Sequence, residues 1–181
     1  MAGAMTALND IHVLMVDDNG PMRQLIRALS RAGGIVNFSE AETAAAALEI
    51  LRATPVDLVI VDWKMRPTDG LCFTRKIRWD SDSPNPYVPI LMLTAHTEAS
   101  RVAAARDAGV TGFLKKPIST RLLFDRIGNA LTDARHFIRA DTFFGPDRRH
   151  GQAGWYSGPF RRAADAREAE TFDLDDLRAS A

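Results

Sequence analysis

The chain has 181 residues, 46% hydrophobic and 25% charged, the composition of one globular domain with a few dozen residues to spare. Its 23 Lys and Arg balance 23 Asp and Glu, so any basic field for nucleic acid or membrane has to be local. A single cysteine, Cys72, excludes an internal disulfide framework and a thiolate metal cluster and fits a reducing compartment, expected to be the cytoplasm. The apolar runs fall far short of the roughly 20 residues that span a bilayer, so neither membrane insertion nor secretion is expected.

In chain order, short β-rich runs alternate with longer helical patterns: HVLMV, PMRQLIRALSRAG, IVNFS, AETAAAALEILRAT, DLVIV, then TDGLCFTRKIRWD, VPILMLT, EASRVAAARDAG, GFL and STRLLFDRIGNALTDARHFI. Alternation of this kind predicts βαβ crossovers and a parallel sheet of five strands with five helices. Pro21 suits a first helical turn, and Gly33 and Gly109 sit where helices should stop and tolerate a left-handed conformation. The stretch Ser83-Pro84-Asn85-Pro86 reads as a connection, because two prolines cannot continue a helix.

Beyond about residue 140 neither period continues, and the segment DTFFGPDRRHGQAGWYSGPFRR is rich in Gly, Pro, Arg and aromatics. It contains a near-repeat, Gly145-Pro146-Asp147-Arg148-Arg149 and Gly158-Pro159-Phe160-Arg161-Arg162, preceded by Phe143-Phe144 and by Trp155-Tyr156. Residues 141–162 carry four Arg against two Asp, whereas 163–181 carry six acids against two Arg. The expected organisation is a domain over residues 10–139 and an irregular tail over 140–181 whose acidic end stays disordered or forms one amphipathic turn.

In parallel α/β sheets ligands gather at the carboxyl ends of strands. Asp17 and Asp18 follow the first strand, Asp62 the third, Thr94 the fourth, and Lys115 and Lys116 the fifth. Each acid alone reads as a turn residue; four strand ends that all carry an acid, hydroxyl or ammonium point to one site. Clustered carboxylates with a backbone carbonyl form a hard oxygen site suited to Mg²⁺. The cation or the lysine keeps Asp62 ionised, as a nucleophile must be.

With the motifs VDDNG, VIVDWKMRPTDG, LMLTA and FLKKPIS, residues of about 10–135 resemble the CheY-like receiver domains of two-component response regulators. The resemblance implies a doubly wound, flavodoxin-like (βα)5 fold and phosphoryl transfer from a histidine kinase or phosphotransfer protein. It implies Asp62 as phosphoacceptor, Mg²⁺ held by Asp18, Asp62 and the Lys64 carbonyl with Asp17 acting through water, and Thr94 and Lys116 on the phosphoryl oxygens. Phe113 is the implied switch aromatic or else plain core. Lys116 is preferred to Lys115 because it precedes Pro117, where the family has a Lys-Pro pair, often cis; Lys115 is then solvated. The self-catalysed transfer needs positioning and charge neutralisation rather than a general base. Two departures stand out: Arg66 occupies the family's usual proline position with Pro67 one place later, and bulky Lys64 and His96 flank the site, where they would retard attack by water or, for His96, face solvent.

The remaining ~40 residues cannot hold a helix-turn-helix with its own core, so no DNA-binding output is expected. Arginine forks read guanine and phosphate, and aromatic rings stack on bases. The tail resembles the arginine-rich extension of CheY-like cyclic di-GMP effectors of flagellar motors. That implies ligand contacts from Asp147, Arg148, Arg149, Trp155, Tyr156, Arg161 and Arg162, a motor switch protein as a partner, and recruitment to a motor or pole. The alternatives are a single-domain phosphorelay shuttle with the tail as linker, weak contact with RNA or single-stranded DNA, and a haloacid-dehalogenase-like enzyme. The last is disfavoured because Lys64 stands where those enzymes have a second Asp; a flavodoxin-like cofactor carrier is disfavoured because Asp17 and Asp18 would repel its phosphate.

Overall fold

A computed structural model describes residues 8–95, 99–133, 135–147 and 170–172 of the chain. The strands β1 (His12–Val16), β2 (Asn37–Ala41), β3 (Leu58–Asp62), β4 (Ile90–Thr94) and β5 (Gly112–Lys115) alternate with α1 (Gly20–Ala32), α2 (Ala44–Ala53), α3 (Gly70–Trp79), α4 (Ala99–Asp107) and α5 (Thr120–Leu131). The sheet is parallel throughout, in the order β2-β1-β3-β4-β5. This is the doubly wound architecture expected from the alternation. β3 and β4 are buried along their whole length, as interior strands covered on both faces must be. One core layer, with Leu14, Val59, Phe73, Ile77 and Met92, lies on one face of the sheet. The other, with Met15, Ile26, Ile60, Leu123 and Ile127, lies on the opposite face. Edge strand β2 begins at Asn37, two residues later than IVNFS suggested.

Helix entry follows side-chain capping. Asn19, Thr43, Asp69 and Ser119 each accept a hydrogen bond from the amide three residues on. Of the two glycines placed at helix ends, Gly109 is left-handed at φ 92°, whereas after α1 it is Gly34 at φ 97° and not Gly33. Gly33 caps α1 at φ −97°.

The C-terminal part departs from the sequence reading. α5 ends at Leu131 instead of running to Ile138, and β6 (Phe137–Ala140) and β7 (Phe143–Pro146) form an antiparallel hairpin. β8 (Glu170–Phe172) pairs with the other side of β6. The hairpin straddles the boundary expected at residues 139 and 140. It docks on the turn after α4 so closely that a Cβ on Gly109 would lie 2.3 Å from the Phe144 carbonyl oxygen. Phe144 meets Trp79, Tyr87 and Phe137 edge-on.

Beneath this aromatic group lies Arg78, fully buried. Its Nε donates to the Gly109 carbonyl at 3.1 Å, its Nη1 donates to the Pro86 carbonyl at 2.7 Å, and its guanidinium sits 5.1 Å from the centre of the Phe137 ring. Burial pushes its pKa down to about 9, which leaves it charged at neutral pH. The hairpin thus closes over a cation tied to α3, the α3–β4 loop and the α4–β5 turn. Phe144→Ala is expected to cost about 3–5 kcal/mol in urea unfolding, as for other buried phenylalanines; a loss below about 1 kcal/mol would mean the hairpin contributes nothing to the folded core.

Candidate functional site

β1, β3, β4 and β5 run parallel, so their carboxyl ends share one edge of the sheet. Asp62 ends β3, almost fully buried, and its two oxygens have different partners. Lys116 Nζ donates to Oδ1 at 2.7 Å, and the Lys64 amide donates to Oδ2 at 2.8 Å. Thr94 ends β4, buried, and its carbonyl accepts from the Lys116 amide at 2.9 Å. The Lys116–Pro117 bond is cis, as is Arg66–Pro67. Lys115 is exposed, as expected for a solvated neighbour, and Phe113 is half-buried against the core. Gly70 opens α3 directly behind the site, where a Cβ would lie 2.3 Å from the Asp62 carbonyl oxygen. Only glycine allows α3 to start there.

Asp17 is buried. Its Oδ1 accepts from the Asn19 amide at 2.8 Å, while Oδ2 has no hydrogen-bond partner among the described residues. Desolvation raises its carboxyl pKa to about 6; the Asn19 amide opposes this, Asp62 adds to it, Lys116 opposes it, and Asp18 adds to it. Asp18 is exposed, and its Oδ2 accepts from the Arg66 amide at 3.2 Å.

Among the described residues no three His, Cys, Asp or Glu side chains are drawn together as a ready metal group. The donor set nevertheless fits a hard cation: Asp17 Oδ2 is an orphaned buried acceptor beside a second carboxylate, and an exposed third carboxylate faces water. Two carboxylates, a carbonyl and several waters are the environment that Mg²⁺ accepts.

Two contributors were not singled out by the sequence. Arg23 Nη1 donates to the Asp17 carbonyl at 2.6 Å, and its Nε lies 3.5 Å from Glu40, fixing the β1–α1 loop to β2. Asn19 both caps α1 and holds Asp17. The signal for Asn19 was present, since Asp-x-Asn before a helix commonly forms an Asx turn. Of the expected ligand contacts, Asp147 follows β7 and its amide donates to the His136 carbonyl at 2.9 Å. His96, Arg148, Arg149, Trp155, Tyr156, Arg161 and Arg162 lie outside the described residues. Phe143 and Phe144, the aromatics of the first repeat, are buried in the hairpin, and Gly145-Pro146 belongs to β7. Phe143 to Pro146 are thus structural residues of the hairpin.

The family described as the response regulator receiver domain matches residues 13–128. The chain is 33% identical over 115 residues to the chemotaxis protein CheY of Pseudomonas aeruginosa, covering 64% of this chain and 91% of the relative. It is 31% identical over 118 residues to CheY-3 of Vibrio cholerae, covering 65% and 89%. The solved structure of Vibrio cholerae CheY4 superposes with a TM-score of 0.62 at 28% identity, covering 67% of this chain and 98% of that one. The chain belongs to the response regulator receiver family, the phosphorylation switches of two-component signalling. Such domains generally bind Mg²⁺ and receive their signal from a histidine kinase or phosphotransfer partner. The hairpin lies beyond the matched residues. Among the described residues no helix is long and apolar enough to cross a membrane.

The raised pKa of Asp17 has a sign that can be measured. Because the folded value of about 6 exceeds the ordinary aspartate value of 3.8, the stabilising effect of this group is complete at low pH and is lost as pH rises through about 6. In the metal-free protein, Asp17→Asn should therefore raise the thermal midpoint by several degrees at pH 7.5, and the gain should close toward pH 4. A gain independent of pH would show that the variant acts through something other than ionisation.

Proposed function

We propose that the protein accepts a phosphoryl group on Asp62 from a phosphohistidine of its kinase or phosphotransfer partner. The observation that carries this reading is the buried Asp62 carboxylate held by Lys116 Nζ at 2.7 Å beside the orphaned oxygen of Asp17. In this reading Asp18, Asp62 and the Lys64 carbonyl hold Mg²⁺, with Asp17 acting through water. The ion supplies positive charge to the phosphoryl oxygens when bound. The chain's own residues do the rest: Lys116 turns from the Asp62 oxygen to the incoming phosphoryl group, Thr94 moves its hydroxyl toward the same group, and Phe113 repacks behind it. The added charge of roughly −1.5 to −2 drives these shifts.

The reading includes a second input. Asp147, Arg148, Arg149, Trp155, Tyr156, Arg161 and Arg162 bind cyclic di-GMP, with Asp147 on a guanine edge, arginines on phosphate and guanine, and the two aromatics stacking. What supports it is the arginine pairs and Trp155-Tyr156 in the sequence, together with the docked hairpin, which gives this segment a fixed origin at the turn below α4 and β5. Both inputs would act on a protein partner such as a flagellar motor switch protein, which fits the chemotaxis relatives.

Acetyl phosphate with Mg²⁺ should label the chain once, at Asp62, and Asp62→Ala should abolish the label; labelling that survives would place the acceptor elsewhere. In calorimetry of the full chain with cyclic di-GMP, Arg148→Ala with Arg149→Ala and, separately, Arg161→Ala with Arg162→Ala should each weaken binding by at least about tenfold. If both pairs are silent, or the unaltered chain does not bind, the phosphorelay shuttle with a linker tail replaces this part of the reading.

A further inference from the structure

Each acid of the site has one oxygen held by a backbone amide. For Asp17 and Asp62 the donor is two residues along, the amides of Asn19 and Lys64. For Asp18 the donor is Arg66, 48 residues away, so this bond alone of the three joins the β1–α1 loop to the β3–α3 loop. Asp18 is also the exposed member of the set, free to swing into water if nothing holds it. Proline has no amide hydrogen, and in this chain it stands at Pro67, one residue past the donor, where the N–H of Arg66 is preserved.

We propose that Arg66 is a positioning residue that acts through its main-chain N–H, holding Asp18 by Oδ2 so that its Oδ1 faces the site, and that this tether sets the affinity for the divalent cation. The inference rests on the metal reading of Asp18 and Asp62 given above. The Arg66 side chain is exposed and contributes only a positive charge near that cation. Backbone and side chain therefore act in opposite directions, which separates them experimentally. Removing the side chain leaves the tether and lessens repulsion of the cation. Removing the N–H alone, by a backbone ester that keeps the arginine side chain, leaves the charge and frees Asp18.

The test is Mg²⁺ titration of the full chain, read from Trp63, which follows Asp62 in sequence. Arg66→Ala should bind Mg²⁺ as tightly as the unaltered chain or more tightly. Arg66→Pro, which removes side chain and N–H together, should bind about fivefold to tenfold more weakly than Arg66→Ala, the scale of one ordinary hydrogen bond at an exposed group. A backbone ester at position 66, made with the α-hydroxy analogue of arginine, removes the N–H without a proline ring and should reproduce the loss. The tether itself is read without metal: in ¹H–¹⁵N spectra the Arg66 amide should shift upfield and lose exchange protection in Asp18→Ala. Weakening by Arg66→Ala as large as that by the ester, a silent ester, or an Arg66 amide unmoved by Asp18→Ala would each overturn the proposal. If Asp18→Ala leaves Mg²⁺ affinity intact while the Arg66 amide does respond, the bond exists but the metal reading fails, and the proposed role falls with it.

Discussion

The site depends on crowding of like charge. Parallel strands deliver Asp17, Asp18 and Asp62 to one edge of the sheet, where their negative charges crowd together and those of Asp62 and Asp18 add to the raised pKa of Asp17. Lys116 offsets this at Asp62, to which it donates at 2.7 Å. Asp17 bears the residual cost: it is buried, one oxygen lacks a partner, and its pKa is raised. A phosphorylation switch benefits from such an arrangement, because a buried edge short of positive charge responds strongly when cation and phosphoryl group arrive. The surrounding structure keeps the acids in place against their repulsion. Gly70 lets α3 start against Asp62, Arg23 grips the Asp17 carbonyl, and three amides each hold one carboxylate oxygen.

The opposite end of the sheet carries the feature that sets this chain apart from the matched receiver region. α3 and α4 run back from the site edge, and their C-terminal ends, with Arg78 and Gly109, receive the β6–β7 hairpin. A charged side chain in a core is tolerated when its donors are satisfied and its face is covered. Two carbonyls and the Phe137 ring meet part of that need, and Nη2 is left without a hydrogen-bond partner among the described residues. The arginine-rich segment therefore starts from the end of the domain opposite Asp62. Five-residue strands separate the two ends by about 17 Å, so a ligand at the origin of the segment and a phosphoryl group at Asp62 would communicate through the domain rather than by direct contact.

The (βα)5 order and the strand-end residues could be read from the sequence because each element combined a clear period with a polar residue where its strand stops. Asp62, Thr94 and Lys116 reach the shared edge for that reason. The hairpin was not legible. His136-Phe137-Ile138 continues the helical spacing of α5, and the two-residue turn Asp141-Thr142 lacks the Asn-Gly or Asp-Gly signature of a tight hairpin. Gly145-Pro146 has the composition of a linker, and its pairing with Phe137 and Ile138 makes it a strand. Arg78 reads as a solvated helical charge until the hairpin covers it. The Arg66–Asp18 bond was illegible for a different reason: it comes from a backbone amide, which no side-chain motif reports.

On the reading proposed above, the strand-end acids and Lys116 form one cation-dependent phosphoacceptor centre. A crystal structure with Mg²⁺ and beryllium trifluoride, a stable mimic of the phosphoryl group, tests it most directly. The mimic should sit on Asp62 in contact with Lys116 and Thr94, with Mg²⁺ ligated by Asp18, Asp62 and the Lys64 carbonyl. A mimic bound elsewhere, or a cation seated away from Asp18 and Asp62, would contradict it.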